Sequence, residues 1–381
     1  METKFGKWIE SRGFPVTVNA IVILALGYMA LRDANALDWG LHRSLYGPVF
    51  LAAGVVLLLF FTLLRKYHRG FPGACRRAAA YRLCFLIYDV PALLICDLAS
   101  ALLGLGHPAR AGLILACTCL AGGLLLYGSL HARRLKTVDY TVPLKTKNGP
   151  SKIVLLSDLH VGLFIGSRYL DRVVRRVNGL DPDLVLIAGD LLDGYLPEEA
   201  QLQAAGRALR RLRAPLGVYA VTGNHDPDIS DKRFQDFLRA AGIHMLYNET
   251  CRLDGLTLVG RTGIVDTPQL RTPLAPMLRG LPAQPVLVID HDPQGIREAA
   301  ACGADLVVCG HTHRGQFFPM TVFTRWPNGR DYFYGAGLHG HTRSIISAGT
   351  GFFGLPVRIG TDSEVVVLHL EEPQKATGCH S

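Results

Sequence analysis

Short apolar runs that end in metal-binding residue types are the feature that most constrains the fold of this chain. Five such clusters occur in the C-terminal part, and nearly every one directly follows a run of mostly β-branched residues. The pattern predicts acids, an amide and imidazoles at the C-terminal ends of successive strands. Ligands of this hardness suit a pair of divalent metal ions that activate water. The five clusters are Ser157-Asp158-Leu159-His160, Gly189-Asp190, Gly223-Asn224-His225-Asp226, Asp290-His291-Asp292 and Gly310-His311-Thr312-His313.

The N-terminal third of the chain is basic, whereas the remainder is balanced in charge. Residues 1–136 hold 15 Lys and Arg against 6 Asp and Glu, and residues 137–381 hold 25 of each, so the net charge of +9 belongs to the first segment. Basic residues confined to such a segment are typical of loops that flank membrane spans. The sequence therefore predicts a bilayer as partner and no nucleic acid.

Four apolar stretches in this third are long enough to cross a bilayer, which needs about 20 residues. They lie near residues 15–31, 48–64, 83–105 and 111–130. The first resembles a signal peptide, but no clear cleavage site follows it and three more stretches come after, so we interpret it as an uncleaved helix.

The basic residues of the connecting loops predict the orientation. The loop 65–82 carries six Arg and Lys and no acid, and three more basic residues, Arg133, Arg134 and Lys136, follow the fourth stretch. The positive-inside rule then places the N-terminus, this loop and everything after residue 131 in the cytoplasm.

The third stretch is unusual because it contains two acids, Asp89 and Asp97. An acid at membrane depth is costly and is a functional candidate by default. The alternative is that Asp89 lies near the interface and that Asp97 hydrogen-bonds within the helix bundle.

After a turn at Asn148-Gly149-Pro150, strand-like and helix-like segments alternate, which predicts an α/β fold with a mixed or second sheet at the end. The predicted helices lie near 167–178, 198–213 and 230–241. The predicted strands are Ile153–Leu156, Leu184–Ala188, Gly217–Val221, Leu256–Val259, Pro285–Ile289, Leu306–Cys309, Ser344–Ser347 and Glu364–Leu370.

The residue types in the clusters fit distinct tasks at a metal pair. Asp190, behind a long apolar run, is suited to bridge two cations about 3.5–4 Å apart. Asn224 offers a neutral oxygen, which keeps the site from becoming too anionic for a phosphate. His225 beside it is available as an acid or an electrostatic stabiliser.

Together, these residues resemble the signature of the calcineurin-like metallophosphoesterase superfamily, over about residues 140–371, and the late Ser347–Gly351 and Arg358–Gly360 segments look like its membrane-anchored bacterial subgroup. The resemblance implies a four-layer α/β/β/α sandwich. It implies that His225 is catalytic, that Asp226 orients it, and that two ions are bound, with Mn²⁺ favoured and Fe or Zn as alternatives. One ion would be held by Asp158, His160, Asp190 and His313, and the other by Asp190, Asn224, His291 and His311.

Substrate contacts are less constrained by the sequence. Where the subgroup usually has Gly-Gly-Gln after the last His, this chain has Arg314-Gly315-Gln316, and Arg314 either contacts a phosphate or faces solvent. Two aromatic pairs, Phe317-Phe318 and Phe352-Phe353, either pack in the core or form an apolar lip for a lipid tail.

The sequence thus predicts a membrane-anchored phosphoesterase that hydrolyses a phosphodiester or pyrophosphate bond, in a lipid-linked or nucleotide-activated glycolipid substrate. The alternatives are a phosphodiesterase for a soluble nucleotide and an inactive membrane sensor or scaffold. The expected location is the bacterial inner membrane, with several spans and a cytoplasmic catalytic domain. The expected domains are a transmembrane domain (1–136), a linker and edge strand (137–151), the catalytic domain (152–371) and a flexible tail (372–381).

Overall fold

The computed structural model describes residues 27–28, 73–194, 196–263 and 271–372. The chain divides into two compact units, residues 1–127 and 128–381. The division falls inside a long helix, so that the last turn of this helix, from Gly128, belongs to the second unit.

The described part of the first unit holds two helices that are long and apolar enough to cross a membrane, α1 (Gly73–Leu102) and α2 (His107–His131). They correspond to the predicted stretches 83–105 and 111–130. The predicted stretch 48–64, and 15–31 apart from residues 27–28, lie outside the described residues. Of the four expected spans, the described residues therefore support two. Asp97 in α1 accepts a hydrogen bond from Arg110 in α2 at 2.8 Å, and Asp89 is buried.

The first sheet of the second unit has the order β1-β12-β2-β3-β4-β5. Its central strands β2 (Lys152–Leu156), β3 (Leu184–Ala188) and β4 (Val218–Val221) are parallel, and β5 (His244–Met245) closes one edge. At the other side, β12 (Ser363–Glu371) runs antiparallel to β2 and parallel to β1 (Leu135–Pro143). The sheet is therefore mixed, and its last strand in sequence lies inside it.

The second sheet has the order β10-β11-β9-β8-β7-β6. Its strands are β6 (Glu249–Leu253), β7 (Leu256–Gly260), β8 (Val286–Ile289), β9 (Leu306–Cys309), β10 (Gly335–His339) and β11 (Thr342–Ile346). Strands β7, β8, β9 and β11 are parallel, and the edge strands β6 and β10 are antiparallel to their neighbours. The predicted α/β fold with mixed sheets is thus confirmed.

Three apolar clusters hold these layers together. Leu155 and Leu186 of the first sheet meet Leu258, Leu287 and Leu306 of the second sheet in the central cluster. On the outer face of the first sheet pack α3 (Ser167–Asn178), α4 (Glu199–Leu209) and α5 (Lys232–Ala241). Against the outer face of the second sheet lie α6 (Leu274–Leu278) and α7 (Ile296–Ala301). The order of layers is helix, sheet, sheet, helix.

One further helix, α8 (Met320–Asn328), follows the last polar cluster and contributes no buried residue to these layers. It is not predicted by the sequence, because its nine residues are few and contain Pro327. The segment 137–151, expected as a linker and edge strand, includes most of β1, which begins earlier and forms nine paired positions with β12.

Candidate metal centre

Most of the predicted metal ligands lie on strand-to-loop turns with a left-handed backbone. The φ angles are 53° at Asp158, 45° at His160, 53° at Asp190, 72° at His311 and 49° at His313. A non-glycine residue in this region costs roughly 1–2 kcal/mol. Such strain persists only where the surrounding structure holds it, and it concentrates at functional sites.

Glycines in the same clusters allow the loops to approach each other. A Cβ atom at Gly223 would lie 2.1 Å from Asp190 Oδ1, and one at Gly310 would lie 2.4 Å from Asp158 Oδ2. At Gly189, where φ is +81°, it would lie 2.6 Å from His291 Nδ1. Each glycine therefore makes room for the side chain of a predicted ligand from another strand.

The first group of ligands comes from β2 and β9. The Nε2 atoms of His160 and His313 lie 3.1 Å apart, and His313 Nε2 lies 3.4 Å from Asp158 Oδ1. The three residues are buried, and their ligand atoms lie within 4.8 Å of one another. This geometry fits one cation between the three side chains.

The second group comes from β4, β8 and β9. Asn224 Oδ1 lies 2.8 Å from His311 Nδ1 and 3.0 Å from His291 Nε2. His291 Nδ1 donates a hydrogen bond to the Ala188 carbonyl oxygen at 2.8 Å. The other ring nitrogen, Nε2, therefore faces the centre and can offer its lone pair to a cation. The two acids that flank His291 make other contacts. Asp290 pairs with Arg271, and Asp292 accepts a hydrogen bond from the Gln294 amide.

Asp190 lies between the two groups. Its Oδ2 atom is 3.5 Å from His160 Nε2 in the first group and 3.3 Å from His291 Nε2 in the second. Its Oδ1 atom accepts a hydrogen bond from the His225 amide at 2.8 Å, which fixes the carboxylate plane. One carboxylate oxygen thus faces an imidazole of each group, which is the position of a bridging ligand.

Burial and charge shift the pKa values of the centre in opposite directions. Burial raises the pKa of Asp158 to about 6, and the neighbouring Asp190 adds to the rise. Burial lowers the pKa of His160 to about 3, and that of His313 falls well below its ordinary value for the same reason. Burial opposes a charge on His291, but Asp190 and Asp158 outweigh it and raise the pKa to about 10. The neutral imidazoles of His160 and His313, beside acids that favour a positive charge at His291, are a donor set that fits cations.

His225 lies at the rim of this centre, half-buried. Its ring stacks on Phe353 with centroids 4.3 Å apart, and it lies 5.4 Å from the ring of His160. The Asp226 carboxylate accepts from the amides of Leu192 and Gly223, both at 2.9 Å. These contacts tie the loops after β3 and β4 together, and burial together with Asp190 raises the pKa of Asp226 to about 7.

Residues 151–315, which include all five polar clusters, match the family model described as calcineurin-like phosphoesterase. This chain carries a calcineurin-like metallophosphoesterase domain. The strands of this domain continue beyond the matched residues, because β11 and β12 follow in the two sheets.

This chain is similar to two metallophosphoesterase relatives and to one solved structure. A zebrafish (Danio rerio) transmembrane protein with a metallophosphoesterase domain is 32% identical over 271 residues, which are 65% of this chain and 60% of the relative. An uncharacterized metallophosphoesterase of Helicobacter pylori is 31% identical over 227 residues, 58% of this chain and 59% of the relative. The chain thus spans about three fifths of these relatives. The NAD nucleotidase of Haemophilus influenzae is 14% identical, with 58% of this chain and 45% of that chain covered and a TM-score of 0.33.

The two aromatic pairs of the phosphoesterase domain are each divided between core and surface. Phe317 and Phe352 are buried, 6% and 4% exposed, and Phe352 packs against Phe164 and Tyr169. Their neighbours Phe318 and Phe353 are 57% and 43% exposed. Core packing therefore describes Phe317 and Phe352, whose burial contradicts a place in the expected lip, and only the other two are available to a ligand.

Arg314 lies over an aromatic ring, and its expected contact with a phosphate stays a prediction. Its guanidinium lies over the ring of Tyr334 at 4.4 Å from the centroid, and the side chain is half-buried. The Tyr334 hydroxyl donates to Glu364, which also accepts from the Ala348 amide. Arg314 thus belongs to a network that supports the loop after β11.

Two supporting residues were not assigned from the sequence. The buried guanidinium of Arg358 donates to the carbonyl oxygens of Ala348 and Gly351 at 2.6 and 2.7 Å and to that of His313 at 3.3 Å. Gln316 holds the Phe353 loop through the Phe353 amide and carbonyl, at 2.8 and 3.1 Å. The subgroup-like Arg358-Ile359-Gly360 motif was the available signal, but a motif alone does not tell which loop an arginine supports.

Proposed function

We propose that this chain is a membrane-anchored phosphoesterase that uses two divalent metal ions to hydrolyse a phosphodiester or pyrophosphate bond. The observation that carries the proposal is Asp190 Oδ2, which lies 3.5 Å from His160 Nε2 and 3.3 Å from His291 Nε2. A single carboxylate oxygen between two groups of nitrogen and oxygen ligands supports a dinuclear site, with Mn²⁺ as the favoured ion and Fe or Zn as alternatives.

The proposed chemistry divides between the ions and the side chains. Bound cations would neutralise phosphoryl charge and lower the pKa of water at the centre. Asp158, His160, Asp190 and His313 would hold one of them, and Asp190, Asn224, His291 and His311 the other. The low pKa of His160 keeps this imidazole neutral at physiological pH, as a metal ligand must be.

His225 is the proposed proton donor to the leaving oxygen. Its amide is fixed by Asp190 Oδ1 at 2.8 Å, so the residue is held at the edge of the bridging carboxylate. Its half-buried ring faces Phe353, which restricts the rotamers of the imidazole. Asp226 would support this arrangement by holding the loops after β3 and β4.

A lipid-linked substrate, such as a nucleotide-activated glycolipid, is the proposed substrate class. The exposed rings of Phe318 and Phe353 support it, and Phe353 lies 5.2 Å from the ring of the ligand His160. An apolar ring at that distance could contact the part of a substrate next to the phosphate. A soluble nucleotide would make the same metal contacts without needing Phe318.

The proposed anchor is formed by the apolar N-terminal helices in a bacterial inner membrane, with the catalytic unit in the cytoplasm. The helices α1 and α2 and the relative named as a transmembrane protein support membrane association. A reporter fused after Ser381 should show the cytoplasmic phenotype, and one inserted between α1 and α2 the opposite phenotype. A periplasmic signal from the C-terminal fusion would reject this topology.

Metal-dependent hydrolysis tests the function directly. The purified full chain should hydrolyse bis(p-nitrophenyl) phosphate, lose activity in a chelator and regain it with Mn²⁺. Asp190→Asn should abolish the activity, whereas Asp183→Asn provides a matched control, because Asp183 binds Ser151 and Lys152 instead. Equal activity with and without chelator would contradict the proposal.

A further inference from the structure

An exposed apolar helix follows the last metal-binding loop of the domain. Helix α8 has no buried residue, and its large side chains Val322, Phe323 and Trp326 are 54%, 60% and 83% exposed. Phe318, directly before it, is 57% exposed. Contiguous apolar exposure of this kind marks a surface for a partner or a membrane.

This apolar surface adjoins the last turn of α2, where the chain enters the catalytic unit. The Phe318 amide donates to the carbonyl oxygen of Ile359 at 3.0 Å. A Cβ atom at Gly128 in α2 would lie 2.8 Å from the Ile359 side chain, and the Arg358 amide donates to the Gly128 carbonyl oxygen. Ile359 therefore lies against both the backbone of Phe318 and the last turn of α2.

A basic groove begins next to the end of α2, at Arg133. Arg133, two residues after α2, lines a cavity of about 360 Å³ together with Leu135, Arg172, Arg175 and Arg176. The four arginines are exposed, and no acid lines the groove. Arg172 donates to the Arg133 carbonyl oxygen at 3.2 Å, which fixes α3 next to the end of α2.

We infer that α8 with Phe318 and the basic groove form one docking face that lies on an anionic lipid bilayer. Apolar side chains of an interfacial helix enter the region between head groups and acyl chains, and arginines beside a membrane span bind acidic head groups. Both elements lie near residues 128–133, which follow directly in the chain on the apolar part of α2, and the proposal is that both meet the lipid surface there. The inference rests on the proposed membrane anchor, but not on the reaction at the metal centre.

The position of Trp326 reports this docking without a measurement of activity. The chain has three tryptophans, so Trp8→Phe and Trp39→Phe leave Trp326 as the single fluorophore. The full chain is placed in nanodiscs that contain lipids brominated near the head group, with either acidic or neutral head groups. We expect blue-shifted Trp326 emission and about twofold or greater quenching by brominated lipid in acidic nanodiscs, weaker quenching in neutral ones, and a decrease with salt.

A second reporter provides the control for position. In a Trp326→Phe background, Arg239→Trp places the fluorophore on α5, which leads into β5 at the edge of the sheet opposite to β1. This reporter should show water-exposed emission and no quenching by lipid. Water-exposed emission of Trp326 without quenching by lipid would overturn the docking inference. Protection of Trp326 from acrylamide without quenching by lipid would also overturn it, and would indicate a contact with protein instead.

Charge variants test the basic groove. Arg172→Gln with Arg176→Gln should lower the quenching of Trp326 in acidic nanodiscs to the level in neutral ones. Arg207→Gln with Arg239→Gln removes the same charge from α4 and α5 and should change nothing. Equal quenching in all variants would overturn the role of the groove. If the chain does not remain in nanodiscs, the proposed membrane anchor is wrong. If the chain remains but Trp326 is exposed to water, only the docking inference is wrong.

Discussion

The metal centre and helix α8 are seven residues apart in the chain, and both reverse the usual distribution of polar and apolar residues. Asp158 and Asp190 in the centre are 0% and 1% exposed, whereas Phe323 and Trp326 in α8 are 60% and 83% exposed. Burial of several acids close together and exposure of large apolar side chains are both unfavourable for a chain alone in water.

The comparison shows that each region suits a different kind of partner. In the centre, buried acids and imidazoles lie close together, and cations would make these contacts favourable. In α8, no residue is buried or belongs to a described apolar cluster, and a lipid surface would make the exposure of its side chains favourable. Buried acids and exposed aromatic side chains, which are both unusual in a folded chain, are thus the residues from which we infer ligands of the described structure.

The largest effect on activity is expected from a substitution in the metal centre. Asp190→Ala should remove the oxygen shared by both groups of ligands, so that metal occupancy falls and hydrolysis decreases on the order of 10³-fold or more. Elemental analysis of the purified chain, together with the rate on bis(p-nitrophenyl) phosphate, measures both. Full occupancy with unchanged turnover would show that Asp190 is not a bridging ligand.

A smaller effect is expected from His225→Ala, which separates binding of the ions from proton transfer. The variant should retain its metal content and lose about 10²-fold or more in kcat, since general acid catalysis contributes 10²–10⁴-fold. A leaving group of low pKa should partly restore the rate, because it needs less protonation. Loss of metal from this variant would instead make His225 a ligand.

The paired phenylalanines sharpen the contrast between buried and exposed apolar groups. Phe352→Ala should lower the free energy of unfolding by about 3–5 kcal/mol, because it removes a ring packed on Phe164 and Tyr169. Phe353→Ala should change stability by less than about 1 kcal/mol, yet raise KM for a lipid-linked substrate. Thermal melting and kinetics of the two variants compare these outcomes. Equal destabilisation by both would remove the argument for a substrate contact at Phe353.

The smallest effect on stability is expected in α8. Phe323→Ser with Trp326→Ser should change the free energy of unfolding of the second unit by no more than about 0.5 kcal/mol for each exposed site. Its melting temperature should therefore stay nearly the same. Val322 offers the same test with a smaller side chain. A marked decrease in melting temperature would mean that α8 packs on the unit in solution, so that its apolar residues already have a partner.

Much of the fold and of the candidate centre follows from the sequence. Buried parallel strands appear as continuous apolar runs, and this is why Leu184–Ala188 and Leu306–Cys309 are predicted at the observed residues. The helix predicted at 167–178 begins and ends as expected, because Val173, Val174 and Val177 mark one face. Placement of ligands at strand ends then brings the five clusters together, although their separate roles remain predictions.

The features that the sequence does not predict are those set by tertiary contacts. The edge strands β6 and β10 are short and have no buried residue, so no continuous apolar run marks them in the sequence. Which phenylalanine of each pair points inward depends on loop geometry fixed by Gln316, not on residue type. Helix α8 is short and contains Pro327, so its sequence does not mark it as a helix.

The position of β12 determines when the domain can be completed during synthesis. This strand, the last of the described structure, lies between β1 and β2, which are the first two of the unit. A nascent chain that has exposed every predicted ligand up to His313 still lacks the strand that joins β1 to the sheet. Glu364 on this strand also accepts the Ala348 amide beside the centre. We therefore expect that assembly of the centre waits until the ribosome has released residues 363–371, after the membrane helices have already been inserted.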